Sequence, residues 1–77
     1  MIRFEIYDSD GRLDRCFRCI DGHFGYDIYM NMYDYLTRRF NLEHDAAENA
    51  VCWCELAPVE DTYEANEFEI YVTEEQE

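Results

Sequence analysis

The chain has 77 residues, 48% hydrophobic and 17% aromatic, and its six basic against nineteen acidic side chains leave a net charge of −13. That length makes one small domain, residues 1–77, whose folding hides roughly 60–65% of the unfolded surface. The apolar content excludes intrinsic disorder, no apolar run nears the ~20 residues of a membrane span, and the charged–apolar alternation from Arg3 onward excludes a signal peptide, so a soluble, cytoplasmic domain is expected.

The first element reads as a β-hairpin. Ile2, Phe4 and Ile6 alternate with Arg3, Glu5 and Tyr7, the period of a half-buried strand. Asp10-Gly11 predicts a two-residue type I′ turn, and a second strand runs from Leu13 to Ile20. This register sets Phe4 against Phe17, Ile2 against Cys19 and Ile6 against Arg15; a slip of one residue would place Phe4 opposite Arg18 and break the apolar face. It also sets Arg3 opposite Arg18, a destabilising like-charge pair that an acidic strand alongside would relieve.

Gly22-His23-Phe24-Gly25 reads as a loop. From Asp27 to about Phe40 the spacing turns helical, with Ile28, Met32, Leu36 and Phe40 on one stripe. Asp27 is the expected N-cap, and Asn41 the left-handed stop. A second helix is expected from Asp45-Ala46-Ala47-Glu48, a capping-box pattern with Asp in the first place, through a buried face of Ala47, Ala50, Val51 and Cys54 to Leu56, ahead of Pro58. Val51–Leu56 also reads as a short strand, which would make the sheet four-stranded. Residues 59–66 read as an exposed acidic connection. Asn66–Thr73 alternates as a last strand with Phe68, Ile70 and Val72 inward, and residues 74–77 as a frayed acidic tail. The expectation is an α+β fold: a three-stranded, largely antiparallel sheet, made of the N-terminal hairpin and the C-terminal strand, packed on two helices in the order β-β-α-α-β.

Cys16-x-x-Cys19 and Cys52-x-Cys54 have the look of zinc ligands. Residues three apart on a strand point to opposite faces, and residues two apart on a helix diverge by about 200°. The cysteines therefore read as small hydrophobes in a reducing compartment, with no metal and no cofactor. His23 and His44 lack partners at diagnostic spacing, Ser9 is the only serine, and no glycine loop is built to cradle phosphate. The chain is not expected to be an enzyme.

Charge is the informative feature. All six basic residues are arginines within residues 1–40, where seven acids leave a net −1; residues 41–77 hold twelve acids and no base, a net −12. A net magnitude of about 2–8 would keep such a domain soluble, and the excess costs stability through self-repulsion. Direct binding of nucleic acid or of an anionic membrane is excluded, and a basic partner is favoured. Glu67 and Glu69, about 6.8 Å apart on one strand face, would join Glu60, Asp61, Glu64, Glu74 and Glu75 in a continuous negative surface, with Tyr63 and Tyr71 as anchors among the acids. Tyr29, Tyr33 and Trp53 offer an alternative, an interaction module or small subunit that binds through an apolar, tyrosine-rich helix flank as monomer or homodimer.

In size, lysine-free acidity, tyrosine content and compact α/β plan, the chain resembles small acidic proteins carried by phages and other mobile elements, among them anti-CRISPR proteins and DNA-mimic inhibitors of restriction enzymes. The resemblance implies a stoichiometric inhibitor in the host cytoplasm that blocks the basic DNA- or RNA-binding groove of a Cas effector or another nucleic-acid enzyme. No residue-level motif carries it, so it transfers no site positions.

Overall fold

The computed structural model describes residues 1–20 and 24–76, in the order β1 (Ile2–Asp8), β2 (Leu13–Cys19), α1 (Tyr26–Phe40), α2 (His44–Leu56), β3 (Thr62–Glu64) and β4 (Phe68–Glu74). The four strands form one antiparallel sheet in the order β2-β1-β4-β3. The fold is α+β, as expected, with one strand more than the alternation revealed. Val51–Leu56 is helical; the fourth strand is Thr62–Glu64, inside the stretch read as an acidic connection. Three residues are too few for a period of two to show, and β3 exists because β4 offers it a ladder.

The two helices cover one face of the sheet. Phe4, Ile6, Phe17, Cys19, Phe68, Ile70 and Val72 point into that layer and meet Met32, Leu36, Ala50, Val51 and Cys54. Each large apolar side chain so buried contributes about 1.5–3 kcal/mol. Aromatic packing ties the layers together: Phe68 stacks between Phe40, with ring centroids 5.1 Å apart, and Tyr63, at 6.3 Å. Tyr63 in turn packs on Trp53 at 5.4 Å, which seats α2 over β3 and β4. Cys19 and Cys54 are fully buried, and burial pushes both thiols above their ordinary pKa. Cys16 pairs with Glu5 in the β1–β2 ladder, on the face opposite Cys19.

The hairpin register is the expected one for Ile2↔Cys19, Arg3↔Arg18, Phe4↔Phe17 and Ile6↔Arg15, but the turn is not. Gly11 N–H donates to the Asp8 carbonyl at 3.0 Å and Asp8 N–H to the Arg12 carbonyl at 2.9 Å, so the loop holds Ser9, Asp10 and Gly11. Gly11 alone has positive φ, 79°, as in a type I turn closed by a glycine bulge. A second irregularity between Ile6 and Tyr7 leaves Asp14 as the extra residue and restores the register. The bulge aims Asp14 at α1, where it accepts from the Tyr35 hydroxyl and pairs with Arg39 at 3.2 Å.

Both helices are capped two residues before the expected caps, Asp27 and Asp45. Gly25 and Glu43 are the N-caps, neither with a side-chain hydrogen bond, so Asp27 and Asp45 act in the first turn through the helix dipole rather than as caps. Asn41, at φ 53°, closes α1 in the left-handed conformation, and Ala57 before Pro58 is extended, ending α2 at Leu56. Gly22 and His23 of the expected loop, and Glu77 of the expected frayed tail, lie outside the described residues. Glu74 and Glu75 are not frayed. Glu74 closes β4 opposite Ile2, and Glu75 N–H donates to the Met1 carbonyl at 2.8 Å. Among the described residues no helix is long and apolar enough to cross a membrane.

Candidate functional site: an acidic sheet edge

The strand order converts the two unlike halves of the sequence into two unlike sides of the molecule. Arg3, Arg12, Arg15 and Arg18 lie on the β1–β2 hairpin, and Arg38 and Arg39 end α1, which packs over β2 through Asp14. The far side, built from β3, β4 and α2, carries acids alone. Most of the arginines are already engaged: Arg3 with Glu5 at 2.9 Å, Arg38 with Asp34 at 2.9 Å, Arg39 with Asp14, and Arg15 over the Phe17 and Tyr35 rings.

β3 is one of the two edge strands of the sheet, β2 being the other. Glu60 and Asp61 precede β3, Glu64 ends it, and Glu67 sits in the turn to β4; all four are exposed. Glu67 is therefore a turn residue and not a strand neighbour of Glu69, because β4 starts at Phe68. The side chain directly opposite Glu64 across the ladder is Glu69. Facing pairs hold their Cβ atoms about 4.5–5.5 Å apart, and like charges there are destabilising. Among the described residues no cation lies within 4.0 Å of either carboxylate. Glu60 adds a second cost: its φ of 73° lies in the region that favours glycine, at position three of the turn closed by Asp61 N–H to the Pro58 carbonyl at 3.3 Å. A side chain there costs about 1–2 kcal/mol.

The edge recruits acids that were not foreseen. Asn66 and Glu67 share one shallow groove with Asp8, Ser9, Asp10, Arg39, Phe40 and Asn41, and a second with Glu43, Ala46, Tyr63 and Glu64. Asp8, which also accepts from the Asp10 and Arg12 N–H groups, Asp10 and Glu43 thus join Glu64 and Glu67 at the corner where the hairpin loop, the α1–α2 connection and the β3–β4 turn meet, with Arg39, paired to Asp14, on the same groove. Only the topology brings them together.

Three of the nine expected site residues, Tyr71, Glu74 and Glu75, stand apart from this edge, and a fourth, Tyr63, borders it with its ring turned inward. Tyr63 points into the helix layer, half-buried by Trp53 and Phe68, and is a core residue rather than an anchor. Tyr71 is half-buried mid-sheet on the open face, between Thr62 and Glu5. Glu74 has the parity of Val72, towards the helices. Glu75 is spent on the arginines: Arg18 Nε donates to it at 2.8 Å, and Arg3 lies at 3.8 Å. It is the acid that the Arg3–Arg18 pair required.

The hydrogen bond from Arg18, and then its charge, hold the Glu75 carboxyl below the usual carboxylate range and raise Arg18 in return. A group with a lowered folded pKa contributes stability above its unfolded value and loses it as pH falls through the folded one. The stability difference between wild type and Glu75→Gln is therefore expected to be full at neutral pH and to shrink below about pH 4, near the ordinary carboxylate pKa. Urea midpoints of both proteins at neutral and acid pH check this; a difference independent of pH would place the effect in packing.

Among the described residues no group of three or more His, Cys, Asp or Glu side chains is placed to hold a metal ion. His44 is occupied within the helix layer. With its Nε2–H donating to Glu48 at 3.0 Å, Nδ1 accepts from the Tyr33 hydroxyl at 2.6 Å. Comparison of the chain with protein families, curated proteins and solved structures gave no significant match.

Proposed function

We propose that this chain is a non-enzymatic acidic ligand, an anti-CRISPR-like inhibitor that occupies the basic groove of a nucleic-acid-binding protein such as a Cas effector and holds it against DNA or RNA. The observation that carries the reading is the unrelieved Glu64–Glu69 pair on the β3 edge. The fold neutralises its one facing arginine pair with Glu75, yet leaves the facing glutamates open, with Glu67 beside them and a strained Glu60 at the other end of β3. Arginines arranged to grip phosphates accept carboxylates in the same bidentate geometry. A cation from outside would turn the repulsion along this edge into attraction, so part of the cost of folding these acids together returns as affinity. The arginine-bearing hairpin would face away from the groove, and charge steering would speed the encounter.

Capture of a partner from host lysate at low salt, followed by affinity measurements as salt is raised, tests this. The expected partner binds DNA or RNA, loses about tenfold or more in affinity between roughly 50 and 200 mM salt as the charges are screened, and is displaced from the chain by duplex DNA or by RNA. A complex indifferent to salt, or one that still holds its nucleic acid, would remove the groove-filling reading.

A further inference from the structure

We propose that the outward seam between α1 and α2 is a second docking surface, and that its occupant is a basic amphipathic helix of a partner protein. The seam lies on the opposite side of the helix layer from the sheet and does not rest on the reading of the β3 edge. Tyr26 and Met30, one helical turn apart on α1, are 77% and 39% exposed; Leu56, one turn beyond the exposed Cys52 on α2, is 87% exposed. Such side chains at i and i+4 share a helix face.

Two cross-links hold the surface in shape. The Tyr29 hydroxyl meets Cys52 Sγ at 3.9 Å, and the Tyr33 hydroxyl meets His44, itself paired with Glu48. The phenol tips are thus engaged while the rings are fixed before any partner arrives, which lowers the ordering cost of binding. At the open end Phe24, Tyr26, Tyr29 and Glu55 wall a groove.

Charge selects the occupant. Glu48 and Glu55 border the seam, and α2 contains no lysine or arginine. A helix laid in this groove would set its apolar stripe on Tyr26, Met30 and Leu56 and reach the bordering carboxylates with Arg or Lys, some of them over tyrosine faces. A second copy, also at −13, or an acidic helix would be repelled.

Cys52 reports on the surface directly, since among the four cysteines it alone is exposed. The probe is a designed helical peptide with leucine on one face and arginine on the other, beside a scrambled peptide of the same composition. The amphipathic peptide is expected to slow alkylation of Cys52 about tenfold, the protection of a site occupied nine-tenths of the time. Tyr26→Ser combined with Leu56→Ser, both exposed and so compatible with folding, should weaken that protection about 10–100-fold in peptide concentration. Glu67→Gln, on the sheet edge, should leave it within about threefold, the change expected of a distant charge. Equal protection by the scrambled peptide, no protection by either, or unchanged affinity in the double variant would overturn the proposal.

Discussion

Reversing Glu64, Glu67 and Glu69 to lysine together is expected to weaken binding of a basic-groove partner by roughly 10²–10⁴-fold while leaving the fold intact. Each charge-assisted hydrogen bond to such a groove is worth about 1.5–3 kcal/mol where the interface excludes water and well under 1 kcal/mol at a wet rim. Three reversals that replace attraction with repulsion therefore remove about 3–6 kcal/mol. All three side chains are exposed, and lysines at 64 and 69 would still face each other, so the ladder keeps a like-charge pair of the other sign and little else changes. Circular dichroism and the urea midpoint should match the wild type, and a binding isotherm reads the loss. A triple variant that binds as tightly as the parent would take the β3 edge out of the interface. Glu74→Lys is the internal control: on the β1-facing end of β4, with its side chain towards the helices, it should cost less than any one of the three.

The parts of this molecule that were legible in the sequence are those where one residue's neighbours in the chain decide its environment. Phe4, Phe17, Ile2 and Cys19 align in only one register, and the observed ladder is that register. It survives a misread turn because two departures cancel: the three-residue loop shifts the pairing by one position and the bulge at Asp14 shifts it back. Nothing in the alternation marks Asp14 as surplus, since its reason lies on α1, in Tyr35 and Arg39. Tyr63 was misleading for the same reason. Its sequence neighbours are acids, but its spatial neighbours are Trp53 and Phe68, which only strand pairing supplies. Glu75 had a usable signal. Two arginines facing each other demand an acid, and the residue that answers cannot also be a free ligand. Asp8, Asp10 and Glu43 had none, because three separate loops must converge before their charges add.

Phe68→Ala is expected to cost about 3–5 kcal/mol, the range for deleting a buried phenylalanine, and so to unfold a large share of the protein at physiological temperature. A chain of this length is stable by about 4–12 kcal/mol in all, and in a domain of this size each kcal/mol moves the melting temperature by about 4–8 °C. Phe68 is 2% exposed, stacked between Phe40 at the end of α1 and Tyr63 on β3. Its loss therefore opens a cavity at the junction of three elements. Thermal melts and urea unfolding followed by circular dichroism measure the cost. A loss below about 1 kcal/mol, less than a buried methylene or two, would mean that this stack does not hold β3 to the sheet. Phe68 also opens the strand that carries Glu69 and follows the turn that carries Glu67, so where its removal frees β3 the acidic edge ceases to be a surface. At a sub-denaturing temperature, partner binding by this variant should fall in proportion to its folded fraction. A steeper fall would show β3 detaching before the rest unfolds, since the edge is held to the core by its short ladder to β4 and the Trp53–Tyr63–Phe68 stack, while its like-charged neighbours contribute nothing but repulsion.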